Sequence, residues 1–214
     1  MSFLRIFWTA AFLPGVLLLE LNTLDPFIKH VIDRQKNKTY EERETSMTVN
    51  DIVGDVIECT PQFGLRVAYF SENIVDYGNI IDSTDCLSPP VVVEWPAEKD
   101  AYYTLSLVGP DYPSRYNRTE NTEWNYWLVA NIFGNKWSKG EVLAEYIGPH
   151  LFKNLGFHRY VFLVYRQPIG AMKFDEPHLD NTIDDKARGN FCIREFAAKY
   201  GLGSPIAGNW FFTT

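Results

Sequence analysis

The sequence has little that would assign it to an enzyme class. Its 214 residues contain no Walker loop and no GxGxxG, HExxH or GxSxG motif. Only three cysteines occur, Cys59, Cys86 and Cys192, and none has CxxC spacing or a metal-ligand pattern with histidine. We therefore expect no catalytic residues, no metal and no cofactor. The count leaves the redox state open: two thiols could pair in an exported chain, whereas all three would be buried thiols in a cytosolic one.

The chain also lacks a basic field. Its formal net charge is −7, so it has no excess of Lys and Arg to release counterions from a nucleic-acid backbone. This argues against a nucleic-acid partner and leaves room for a small local anion site. Hydrophobic content of 46% and aromatic content of 15% exclude disorder and indicate a folded core.

The first residues resemble an export segment. Arg5 precedes the uncharged, mostly apolar stretch Ile6–Leu19, which is too short for a stable membrane span. We expect residues 1–22 to be a signal peptide; an uncleaved anchor or a simple apolar N-terminus are the alternatives. Secretion is the expected localisation, with the cytoplasm as the alternative. Glycosylation sequons at Asn37 and Asn117 agree with export.

Residues 23–48 are interpreted as a helix followed by a linker. Asp25 and Pro26 are suited to start a short helix, and the polar stretch Asn37–Met47 has the character of a linker. A second short helix is predicted around Ile52–Ile57, weakened by Gly54.

From Gly64 onward the pattern changes to strands. Turn residues separate β-rich runs, which are 65–70, 90–95, 102–108, 124–132 and 157–167. The segment Phe191–Tyr200 is typical of an amphipathic helix that ends at Gly201. Strands without regular intervening helices predict a mainly β protein, an antiparallel β-sandwich with short peripheral helices.

The most apolar run, Tyr160–Tyr165, is predicted to be a buried strand, and the polar residues His158 and Arg159 stand at its entrance. A histidine there could serve a site or only bond at a strand end.

Three clusters occur in the order and at the separations of one family's signatures. They are Gly-Pro-Asp-Tyr-Pro-Ser-Arg at 109–115, Glu-Trp-Asn-Tyr-Trp-Leu-Val-Ala-Asn at 123–131, and Gly-Phe-His-Arg-Tyr-Val at 156–161. A fourth cluster, Ser-Pro-Ile-Ala-Gly-Asn, follows at 204–209. From about residue 49 to 214 the chain resembles the phosphatidylethanolamine-binding protein (PEBP) family, which includes the Raf kinase inhibitor proteins.

The resemblance implies one PEBP-like domain over 49–214, with a large central sheet, a smaller sheet against it and peripheral helices. It also implies a surface pocket for anionic groups such as a phospholipid head group, and generally no enzyme activity.

Matching positions carry over one by one. Asp111, Pro113, Trp124, His158 and Tyr160 match pocket residues of the family. His158 and Tyr160 are expected to donate hydrogen bonds to an anion, and Asp111 to orient His158 or the loop.

Several positions depart from the family pattern. Gly109 replaces the first Asp of the proline motif, Tyr126 a pocket His, and Phe211 a Tyr near the C-terminus. The lip of the pocket becomes Gly148-Pro149-His150-Leu151-Phe152, in which His150 is a candidate to replace the missing imidazole. Tyr126, Gly148, His150 and Phe211 therefore complete the predicted ligand-binding set.

Two functions follow from this pattern. The first is a non-enzymatic protein that holds a phospholipid head group or another small anionic or amphipathic ligand in an altered pocket. The alternative is an interaction protein with a decayed pocket, which acts through its surface as a protease or kinase inhibitor or as a scaffold.

Overall fold

The computed structural model describes residues 37–70, 73–112, 123–149, 156–182, 185–189 and 191–213. Its helices are α1 (Tyr40–Val49), α2 (Ile52–Asp55), α3 (Asp185–Arg188) and α4 (Ile193–Lys199), with 3₁₀ turns at Ser83–Cys86 and Trp137–Lys139. The strands are β1 (Phe63–Gly64), β2 (Arg66–Ala68), β3 (Asn79–Ile80), β4 (Val92–Glu94), β5 (Tyr102–Gly109), β6 (Trp124–Phe133), β7 (Glu141–Ala144), β8 (His158–Arg166) and β9 (Ala207–Thr213).

The fold is built on one large sheet. Its strands follow the order β1-β9-β8-β5-β6-β7, and β3 also pairs with β9. The pairs among β5, β6, β7, β8 and β9 are antiparallel, whereas β1 and β3 run parallel to β9. Strands β2 and β4 form a separate antiparallel sheet. The predicted mainly β architecture of a large and a small sheet with short helices is confirmed, and the two parallel pairings make the large sheet mixed.

Strand β8 lies at the centre and is buried on both faces, as its unbroken apolar run predicts. Because successive side chains alternate between faces, Tyr160 and Phe162 join the core under the small sheet, which includes Val67. Val161 and Leu163 point the other way, into the core under the helices. The molecule therefore has three layers: small sheet, large sheet and helices.

The stretch interpreted as a polar linker is helix α1, so that prediction was wrong. Thr39 and Glu42 form a reciprocal capping box at its start, which supplies partners for otherwise unpaired backbone N–H groups. Only one narrow face is buried: Met47 is fully enclosed, and Arg43 donates to the carbonyl of Gln62 at 2.7 Å. Helix α1 therefore packs against the core through Met47. The helix predicted near residue 25 lies outside the described residues.

Other sequence predictions have mixed outcomes. Helix α4 and its end are confirmed, with Gly201 at φ 62°. The short strand β3, the edge strand β7 and the C-terminal strand β9 were not predicted. Cys59, Cys86 and Cys192 are free thiols. Within the described ranges, no helix has the length and apolar character needed to cross a bilayer.

Candidate functional site

The candidate site lies at the N-terminal end of β8. His158 and Tyr160 are two residues apart and so share one face of the sheet; their neighbours on β9 are Thr213 and Phe211. Both side chains are buried, with 3% and 1% exposure. The His158 ring nitrogen Nδ1 lies 3.1 Å from the carbonyl oxygen of Gly156, which fixes the orientation of the imidazole.

A pair of tyrosines forms the floor of the site. The rings of Tyr126 and Tyr160 meet edge to face with centroids 4.9 Å apart, and their hydroxyl groups are hydrogen-bonded to each other. Tyr160 is also hydrogen-bonded to Thr213. Burial raises the pKa of Tyr160 to about 12 and the pKa of Tyr126 well above its usual value. Both phenols are therefore neutral at physiological pH and act as hydrogen-bonding groups.

Tyr126 fits against Gly109, which lies opposite Trp124 in the β5–β6 ladder. A Cβ atom on residue 109 would come 2.6 Å from Cε2 of Tyr126 and 3.4 Å from the carbonyl oxygen of Arg159. Gly109 and Tyr126, which both depart from the family pattern, are thus linked in the structure. The ring of Tyr126 fills the space that a side chain at residue 109 would need.

Asp111 is held by an arginine. Its carboxylate accepts hydrogen bonds from Arg159 at the backbone N–H (2.8 Å), Nε (2.9 Å) and Nη2 (2.6 Å). Arg159 also donates to the carbonyl of Asn50 at 2.8 Å and lies 2.9 Å from Oδ2 of Asp55. This buried ion pair ties the loop after β5 to β8 and to the end of α1, which agrees with the expectation that Asp111 orients the loop. Arg159 was noted in the sequence only as a polar residue at the strand entrance, without a role in the site.

Aromatic side chains complete the inner wall. The Trp124 ring is fully buried with its centroid 4.5 Å from that of Tyr126, and its Nε1 has no acceptor among the described residues. Phe211 stacks on Tyr160 with centroids 5.3 Å apart. Because Phe211 carries no hydroxyl, this wall is apolar where the family pattern has a phenol.

Gly148 belongs to a neighbouring cluster that the sequence analysis missed in part. A Cβ there would meet Cα of Leu87 at 2.6 Å, so only glycine permits this close approach of two backbones. Just before it, the hydroxyl of Tyr146 donates to the carbonyl of Cys86 at 2.6 Å and lies 3.2 Å from the hydroxyl of Tyr69. The position of Tyr146, two residues before the predicted lip, is the signal that could have identified it.

The remaining predicted residues are placed as follows. Asn37 is exposed just before the cap of α1, whereas Pro113, His150 and Asn117 lie outside the described residues. Among the described residues, no group of three or more His, Cys, Asp or Glu side chains could hold a metal ion.

Comparisons with known proteins agree with this architecture. The sequence profile of the family Phosphatidylethanolamine-binding protein matches residues 71–211. A Drosophila melanogaster protein described as "Putative odorant-binding protein A5" is 32% identical over 161 residues, which cover 75% of each chain.

Two solved structures are similar. The solution structure of the protein CG7054 is 38% identical, with a TM-score of 0.59, and the match covers 76% of this chain and 90% of that one. A carboxypeptidase Y inhibitor, solved in complex with its cognate proteinase, has a TM-score of 0.67 at 24% identity, over 81% of this chain and 95% of that one. The fold, the profile match and the Drosophila relative together show that the chain belongs to the phosphatidylethanolamine-binding protein family.

Proposed function

We propose that the protein is a non-enzymatic binding protein that holds a small amphipathic ligand at the His158 and Tyr160 end of β8. The observation that carries this proposal is the fit of Tyr126 over Gly109. This fit places tyrosine hydroxyl groups and aromatic rings where the family pattern has charged side chains. Such a site suits a ligand with an apolar body and one hydrogen-bonding head group.

The charges of the site argue against tight phosphate binding. Residue 109 carries no carboxylate, residue 126 is a neutral phenol, and the carboxylate of Asp111 is neutralised by Arg159. A lost charge-assisted hydrogen bond costs about 1.5–3 kcal/mol, or roughly ten- to a hundredfold in affinity. Phosphorylethanolamine is therefore expected to bind weakly, whereas neutral amphipaths retain the hydroxyl and aromatic contacts.

Secretion is part of this proposal. It is supported by the apolar segment at 1–22, by the exposed sequon residue Asn37, and by the similarity to a Drosophila protein whose description names odorant binding. A carrier of small amphipaths outside the cell would combine these features.

The test is titration calorimetry with two ligands, phosphorylethanolamine and 1-hexanol. We expect saturable heat from 1-hexanol that is lost in His158→Ala or Tyr160→Phe, and little heat from phosphorylethanolamine. His178→Ala is the matched control, because His178 is an exposed histidine on a different segment. Tight phosphorylethanolamine binding with no response to 1-hexanol would contradict the proposal.

The alternative is an interaction protein that inhibits a protease or kinase or acts as a scaffold. The position of the Tyr126 ring also agrees with this alternative, because a pocket filled by its own side chain does not bind a ligand. Absence of heat from both ligands on the folded protein would favour this alternative.

A further inference from the structure

A cavity lies away from His158, where the small sheet meets the edge of the large one. Its volume is about 600 Å³, within the range of small-molecule sites. Its walls are formed by residues before and within α1, by β1 and β2, and by the end of β4: Asn37, Lys38, Arg43, Phe63, Gly64, Leu65, Arg66, Tyr77, Glu94, Trp95, Pro96 and Asn135.

The cavity and the His158 site stand at opposite ends of β9. Phe63 of β1 pairs with Ala207 at the start of β9, whereas His158 pairs with Thr213 at its end. These two β9 positions are six residues apart, or about 20 Å along the strand. Ligands at the two places would therefore not overlap.

The charged residues that line the cavity are mainly positive, although the chain as a whole has a net charge of −7. Its lining includes three cations, Lys38, Arg43 and Arg66, and one carboxylate, Glu94. Arg66 lies 3.4 Å from Glu94, and Lys38 lies 3.4 Å from Asp76. These part-exposed ion pairs are weak, so both cations can turn to a stronger anionic partner.

Two lining residues contain buried donors without an acceptor. Arg43, 9% exposed, donates through Nη1 to the carbonyl of Lys38 and through Nη2 to that of Gln62, but its Nε has no partner. Trp95, 5% exposed, has an indole Nε1 with no partner. A buried N–H group without an acceptor is costly, and both of these groups belong to residues that line the cavity.

Part of the lining is apolar. Phe63 is 37% exposed on β1, and Leu65, Pro96 and the Trp95 ring extend the apolar surface. We propose that this cavity is a second ligand site, which binds an organic anion with an apolar chain, such as a medium-chain carboxylate. The carboxylate meets Arg43, Arg66 and Lys38, and the chain lies against Phe63 and Trp95.

The test is an NMR titration of the full chain with octanoate, observed at the tryptophan indole N–H resonances. The Trp95 resonance is assigned by its loss in Trp95→Phe. We expect octanoate to shift the Trp95 signal and leave that of Trp124 unmoved, while 1-octanol and octyltrimethylammonium bind at least tenfold more weakly. A shift of Trp124 alone, or equal binding of octanoate and octanol, would overturn the proposal.

Two variants test the lining. Arg66→Gln should weaken octanoate about tenfold, whereas Arg166→Gln should change it less than twofold, because Arg166 forms a comparable part-exposed pair with Glu98 elsewhere. Asn135→Trp adds bulk at an exposed rim residue and should abolish binding without disturbing the core. Unchanged octanoate affinity in Arg66→Gln and Asn135→Trp would contradict this site. Neither result depends on His158→Ala, which reports only on the proposed function.

Discussion

Tyr126 occupies the space in front of Gly109: a Cβ atom on residue 109 would lie 2.6 Å from its ring. The hydroxyl of Tyr126 is hydrogen-bonded to Tyr160, on the same strand face as His158. The Tyr126 ring in this position therefore requires glycine at residue 109, which links the two departures from the family pattern.

Gly109→Asp alone should destabilise the protein by about 2–4 kcal/mol, because it combines overpacking with a buried carboxylate. Urea unfolding followed by circular dichroism measures the change. The same substitution in a Tyr126→His background is the matched control and should cost at least about 1 kcal/mol less. Equal losses in both backgrounds would show that Tyr126 and Gly109 are independent.

The buried Asp111–Arg159 pair makes a second prediction. Both side chains have at most 1% exposure, and removing one charge leaves the other buried with a poorer partner. Asp111→Asn should therefore lower the free energy of unfolding by about 3–5 kcal/mol. Arg166→Gln, which breaks the exposed pair with Glu98, should cost less than about 1 kcal/mol. Similar small losses in both variants would contradict the structural role of the buried pair.

Glu123 should make stability fall as pH rises. Desolvation raises the pKa of this carboxyl to about 7, although the backbone N–H of Ile193 donates to it at 2.9 Å. At pH values between the unfolded pKa, about 4.3, and the folded pKa, the native state binds one more proton than the unfolded state. The stabilisation from this difference is therefore complete below the unfolded pKa. It is lost as pH rises to about 7, by roughly 3 kcal/mol at most.

Glu123→Gln tests this dependence, since the amide oxygen still accepts from Ile193 and cannot ionise. Denaturation series between pH 4 and 8 should show a smaller decline in the variant than in the wild type. Parallel curves would mean that Glu123 does not titrate with folding.

Export of the chain predicts a glycan on Asn37, which is exposed. After secretion from eukaryotic cells, the protein should show a gel shift that the amidase PNGase F removes and that Asn37→Gln reduces. Thr39→Ser keeps both the sequon and a hydroxyl cap for α1, and should retain the glycan. A secreted wild type without a glycan at Asn37 would contradict this assignment.

Local pattern predicted the central sheet well. Strands β5, β6 and β8 are long and mostly apolar, and such runs are recognisable without tertiary information. Strand β7 escaped prediction because it is short with half of its residues exposed. Strand β3 has only two residues and is defined by its pairing with β9.

Helix α1 shows the opposite limit. Its sequence is polar, and its place is fixed by tertiary contacts such as the 3.1 Å hydrogen bond from Trp210 Nε1 to Ser46. Propensity alone could not reveal contacts between residues so far apart in the chain.

Motif positions indicated which residues lie close together better than they indicated the contacts between them. His158, Tyr160, Trp124 and Tyr126 were named from motif positions, and the latter three form one aromatic cluster. The pairing of Asp111 with Arg159 was not foreseen, because which of two adjacent polar residues a carboxylate meets depends on side-chain direction in the folded protein.

The most direct test of the altered site is calorimetry of phosphorylethanolamine binding to the wild type and to Gly109→Asp/Tyr126→His, which restores both family residues. We expect at least a tenfold gain in affinity for the double variant, equivalent to about 1.4 kcal/mol, and loss of 1-hexanol binding. A wild type that already binds phosphorylethanolamine as tightly as the double variant would contradict it.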